Sequence, residues 1–141
     1  MRTIATGLLA ALLLSTPATA ADCPKLPEGM RCMAEAGDGP SMYLVGRQAY
    51  DTARETGDFT EARMWAVKAM EAKFFPAAKM LYKMVHLQIG DGAHKDMVEG
   101  HVWLAEAVDG GADYLKPWMK RLEARMTRKQ IAEARTCWAE K

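Results

Sequence analysis

From Ser41 onward, apolar residues recur at three- and four-residue steps, and each run is bounded by residue types that start or stop helices. The stretch Ser41 to Thr56 carries Met42, Val45, Ala49, Tyr50 and Ala53 and meets Gly57. Asp58-Phe59-Thr60-Glu61 then has the form of a capping box, with Asp58 expected to accept from first-turn N–H groups while Glu61 reaches back. Behind it, Ala62, Trp65, Ala66, Ala69, Met70 and Lys73 alternate large and small residues along one stripe, which suits close helix packing. Phe74-Phe75-Pro76 ends that stripe, and Pro76 sits well in the first turn of a further helix through Ala77, Ala78, Leu81, Tyr82, Val85 and Ile89. Gly90-Asp91-Gly92 is a turn; Asp96 with Glu99 is a second cap, opening a helix with Gly100, Trp103, Leu104, Ala107 and Val108 that Gly110-Gly111 stops.

Two of these helix pairs are copies of one pattern. Asp58 and Asp96, Glu61 and Glu99, Trp65 and Trp103, and Ala69 and Ala107 are each 38 residues apart. A cap and a packing residue that return at a fixed interval mark a helical repeat, because one helix pair cannot bury its apolar face alone. The interval and the residues resemble the Sel1-like repeat family, a relative of the tetratricopeptide repeats. The second unit carries the resemblance best, with Gly90, Gly92, Asp96, Trp103, Ala107 and Gly110; the first offers Tyr50, Gly57, Asp58, Ala62, Trp65 and Ala69, with a shorter loop that lacks paired glycines. The resemblance covers about residues 41–114 and implies an all-α fold: a short right-handed α-α solenoid of helix hairpins.

The tail extends the array. Leu115, Trp118, Met119, Leu122 and Met126 form the buried side of a helix expected to run to Arg125 with Pro117 in its first turn. Thr127 and Gln130 form a capping box for a last helix through Ile131, Ala134, Arg135 and Trp138. Residues 115–141 are therefore expected to act as a C-terminal helical cap, with Arg128, Lys129, Glu133 and Arg135 on its charged outer face.

The N-terminal 40 residues differ. Arg2, the apolar run Ile4 to Leu14 and the small residues Ala18-Thr19-Ala20 after Pro17 have the organisation of a cleavable signal peptide over residues 1–20. A periplasmic or secreted location follows as the expectation, with no stable membrane insertion after cleavage. Residues 21–40, rich in proline and glycine, are expected to be largely irregular. In an oxidising compartment two of the three cysteines should pair. Cys23 and Cys32 are the natural couple, since Pro24, Pro27 and Gly29 turn the segment between them back on itself, and a bridge from either to Cys137 is the alternative.

Charge narrows the range of partners. Without residues 1–20, 18 basic side chains face 18 acidic ones, a balance that argues against nucleic acid. The run Lys116, Lys120, Arg121, Arg125, Arg128 and Lys129, with Glu123 among it, reads as a solvated face. No nucleophile elbow, phosphate loop or zinc-protease motif is present, and Asp58, Glu61, Asp96 and Glu99 are explained as caps, so the expectation is a protein without a catalytic site or cofactor.

A metal-handling role, with copper bound by Met, His and Cys, is the alternative from another class. Ten methionines lie beyond residue 20, together with His86, His94 and His101, while Met30 and Met33 flank Cys32. The methionines, however, fall at core-like spacings, and no two histidines are one helical turn apart, so no metal site is expected. The Sel1-like resemblance implies instead an adaptor or modulator that binds another protein or peptide. In such arrays the first helices line a concave face, which would give Arg47, Gln48, Asp51, Arg54, Lys79, Lys83 and His86 to a partner.

Overall fold

Helix-forming stripes bounded by caps give a chain of helices, and among the described residues, 19–86 and 96–140 of a computed structural model, there is no strand. Among the described residues the seven α-helices are α1 (Met30–Glu35), α2 (Gly39–Thr56), α3 (Thr60–Glu71), α4 (Ala77–His86), α5 (Met97–Asp109), α6 (Lys116–Glu123) and α7 (Arg128–Ala139). Consecutive helices pack on one another from α1 to α6, while α4 also meets α6 and α5 meets α7. The expected signal peptide up to residue 18, the turn glycines Gly90 and Gly92, and His94 lie outside the described residues.

The segment 21–40 is more regular than its composition suggests. It holds a 3-10 turn at Ala20–Asp22, all of α1 and the first two residues of α2. Asp38 caps α2, its carboxylate accepting from the Ser41 N–H at 2.8 Å, and Pro40 occupies the first turn, where the missing N–H leaves no gap in the helix. Cys23 and Cys32 are bridged, with Cα atoms 5.6 Å apart, and Cys137 is free and exposed. At the other end, Leu115 belongs to a 3-10 turn, Asp113–Leu115, and α6 begins after it and stops at Glu123. The capping box of Thr127 and Gln130 forms with both of its reciprocal bonds.

The two 38-residue copies share their surroundings. Trp65 and Trp103 are both buried, at 3% and 9% exposure, and each indole Nε1–H donates to the glutamate one turn before it, Glu61 or Glu99, at 3.3 Å. Each glutamate also accepts from an arginine of an earlier helix: Arg31 of α1 reaches Glu61 at 2.7 Å, and Arg63 of α3 pairs with Glu99. Thus α1 offers its arginine to α3 as α3 offers its own to α5. The Arg31 bond, followed by the Trp65 bond, holds the Glu61 carboxyl below the usual glutamate range.

This corrects the reading of both glutamates as halves of capping boxes: an indole donor at i+4 and a guanidinium from the neighbouring helix draw the carboxylate sideways, away from the helix start. Asp58 departs from expectation as well. It accepts from the Thr60 N–H at 3.0 Å but stands one residue before the N-cap position, Phe59, whose buried ring packs edge-on against Tyr50. Asp96, by contrast, is the N-cap of α5 and accepts from Val98 and Glu99 N–H at 2.8 and 3.1 Å. Asp96→Ala should therefore lower the unfolding free energy by about 1 kcal/mol, and Asp58→Ala by less, in urea titrations.

Small residues let these helices approach. Ala62, Ala66 and Ala69 of α3 and Ala77 and Ala78 of α4 are fully buried. A Cβ on Gly46 would stand 3.1 Å from Cβ of Trp65, and one on Gly100 3.1 Å from a methyl of Val85, so the α2–α3 and α4–α5 contacts each close over a glycine. Met70, Met84, Leu104, Leu115 and Leu122 fill the space between. Met42 and Met80 are buried with them, which accounts for four of the methionines as packing.

Candidate functional site

The first helix of each successive pair, α2, α4 and α6, presents one face to a shared hollow. On α2, Tyr43, Arg47, Tyr50, Asp51 and Arg54 follow one another at helical steps of four, three, one and three residues. On α4 the same hollow takes Lys79, Met80, Tyr82, Lys83 and His86, and α6 closes it with Trp118 and Arg121. The result is a groove of about 580 Å³ running across α2, α4 and α6.

Six of the seven residues expected to meet a partner line this groove: Arg47, Asp51, Arg54, Lys79, Lys83 and His86. Gln48 does not. One residue turns a helix by about 100°, so Gln48 lies round α2 from Arg47, outside the groove and beside Thr52. The aromatic lining and the α6 residues were not singled out by sequence. Counting Trp118 and Arg121 as one face of a further first helix, rather than as part of a cap, would have found them. The basic run at the C-terminal end is in fact divided among tasks. Arg121 enters the groove, Arg125 donates to the His86 backbone carbonyl, and Lys116 pairs with Asp113 at 2.8 Å.

Rings hold the groove's cations in place. Arg47 lies over Tyr43 at 5.9 Å, while Lys79 and Arg121 lie over Trp118 at 4.8 and 5.0 Å. Tyr82 packs edge-on against Trp118 and stacks on the His86 ring at 4.9 Å. Burial raises the pKa of the Tyr50 and Tyr82 phenols, which stay neutral. Arg47, Arg54, Lys79, Lys83 and Arg121 supply five positive charges against one acid, Asp51. Among the described residues none of the five forms an ion pair, whereas Arg31, Arg63, Lys73 and Lys116 each do.

Burial, and then Arg125 and Arg121, push the His86 pKa below its ordinary value of 6.5. The unfolded chain therefore takes up this proton first. Stability contributed by neutral His86 is complete above pH 6.5 and is lost as pH falls through the lower folded value. Urea midpoints measured between about pH 7.5 and about pH 5.5 should fall in the parent protein and fall less in His86→Gln.

The remaining candidates for chemistry are dispersed. Cys32 is in the disulfide, and His101 is buried on α5 with Nε2 2.8 Å from the Glu123 carboxylate. No group of three or more His, Cys, Asp or Glu side chains among the described residues is arranged to hold a metal ion. No helix among them is long and apolar enough to cross a membrane, and the disulfide fits an oxidising, extracytoplasmic setting. Comparison with models of known protein families, with curated proteins and with solved structures gives no match to this chain.

Proposed function

We propose that this chain is an exported Sel1-like helical-repeat protein that acts as a protein–protein interaction adaptor or modulator. The hairpins α2–α3 and α4–α5 are its two repeats and α6–α7 its cap, stacked as a short right-handed solenoid whose first helices form the binding face. The observation that carries this reading is the groove of about 580 Å³, to which α2, α4 and α6 each contribute side chains at helical spacing. The recurring Arg–Glu–Trp contacts support the repeat part of it, because side chains 38 residues apart find equivalent partners.

A groove of this size suits a peptide segment rather than a whole domain. Affinity capture from envelope extracts tests the reading, using residues 21–141 beside a variant with charge reversals at Arg47, Arg54 and Lys83. A partner retained by the parent and lost by the variant is the expected result. Equal capture of every partner by both proteins would remove the groove from the account.

A further inference from the structure

The charge of the groove says more than that something binds there. The chain as a whole is close to neutral, with 19 basic and 18 acidic residues, yet five cations converge on this one concavity with a single carboxylate among them. Arg31, Arg63 and Lys73 elsewhere in the fold have found acidic partners across helices. Arg47, Arg54, Lys79, Lys83 and Arg121 form no ion pair among the described residues, where Asp51 is the one acid that lines the groove with them to offset their mutual repulsion. We propose that the groove binds an extended acidic peptide segment, whose glutamate or aspartate carboxylates pair with these five cations; this rests on the reading of the groove as the partner site.

Three features favour a carboxylate-bearing peptide over other polyanions. The aromatic rings that would stack on nucleic-acid bases are already engaged: Lys79 and Arg121 lie over Trp118, Arg47 lies over Tyr43, and Tyr82 is 2% exposed and stacked on His86. Arg47, Lys79 and Arg121 are thus held by rings rather than by acids, which keeps their charge available to an incoming anion. A concave hollow spanning three helices also cannot lie flat on a lipid surface. Adjacent packed helices stand about 10 Å apart, so the groove accepts roughly six extended residues at about 3.3 Å each.

Fluorescence anisotropy with three labelled peptides of about eight residues tests this, each alternating leucine with glutamate, glutamine or lysine. The glutamate peptide should bind about tenfold or more tightly than the other two, and weaken steeply with added salt. Its amide shift changes in NMR spectra should map to α2, α4 and α6. Binding should be lost in the Arg47→Gln/Arg54→Gln/Lys83→Gln variant and kept in Lys68→Glu, a reversal on α3 away from the groove; unchanged circular dichroism would show that both fold.

Equal binding of the glutamine or lysine peptide with the same shifts would leave the groove as a peptide site and overturn its acidic preference. Shifts confined to other faces, or no binding of any peptide, would overturn both readings. A thymidine oligonucleotide or phosphatidylglycerol vesicles that displaced the glutamate peptide at equal charge concentration would overturn the assignment to a peptide.

Discussion

Trp103→Ala is expected to lower the unfolding free energy by about 3–5 kcal/mol, and Trp65→Ala to have an effect of the same order. Each indole is a large buried side chain, and its loss opens a cavity where helices close over small residues: Gly46 against Trp65, and Gly100 against Val85 beside Trp103. The substitution also removes the donor that helps hold Glu61 or Glu99 in its pair with arginine. Phe in place of either Trp keeps most of the packing and loses the Nε1–H bond, so its effect should be nearer 1 kcal/mol. Urea unfolding monitored by circular dichroism separates these cases. An Ala variant within about 1 kcal/mol of the parent would mean that the Trp residues do not hold this packing.

The second large effect concerns the N-terminal segment. Breaking the Cys23–Cys32 bridge, by reduction or by Cys23→Ser with Cys32→Ser, should cost about 2–4 kcal/mol of stability in α1. A closed loop of this kind restricts the unfolded segment, and α1 has only six residues to hold itself in place. Because Arg31 of α1 reaches Glu61, the loss should spread to the surroundings of Trp65 and fade before α5. Amide hydrogen exchange, residue by residue, would show protection falling in α1 and in the first turns of α3 while Leu104 stays protected. Cys137→Ser should change nothing, since that thiol is exposed and free. Unchanged exchange in α1 after reduction would contradict this account of the bridge.

Helices were legible wherever one face had to be buried. The stripe from Ala62 to Met70, the stripe from Ala77 to Val85 and the capping box at Thr127 appear where periodicity and caps put them, whereas Lys73, expected to continue the first stripe, lies past the end of α3 at a φ of 61° with its side chain exposed, and Ile89 lies outside the described residues. The buried Trp65 and Trp103 follow from the same pattern, since an aromatic that returns at a fixed interval has to meet a repeated surface.

Long-range competition was not legible. Glu61 and Glu99 fit a capping box locally, but guanidinium groups 30 and 36 residues earlier in the chain outbid the helix start for them. In the same way, α1 could not be read from a segment rich in Pro and Gly, because the disulfide and its packing on α2 supply what local propensity does not. The groove was half legible. The polar residues expected on α2 and α4 line it, apart from Gln48, which lies one step round the helix from Arg47, while Tyr50 and Tyr82 were read only as packing. Trp118 and Arg121 were assigned to a cap rather than to a further first helix, and the packing of α6 beside α4 brings them to the groove.

Photocrosslinking tests most directly whether the face made by α2, α4 and α6 is where a partner sits. A photoreactive residue replacing Arg54, inside the groove, should give a discrete covalent adduct with a protein from the envelope extract, and the same residue replacing Gln48, on α2 outside the groove, should give none. Adducts of equal yield at both positions, or at Gln48 alone, would contradict the groove as the binding site.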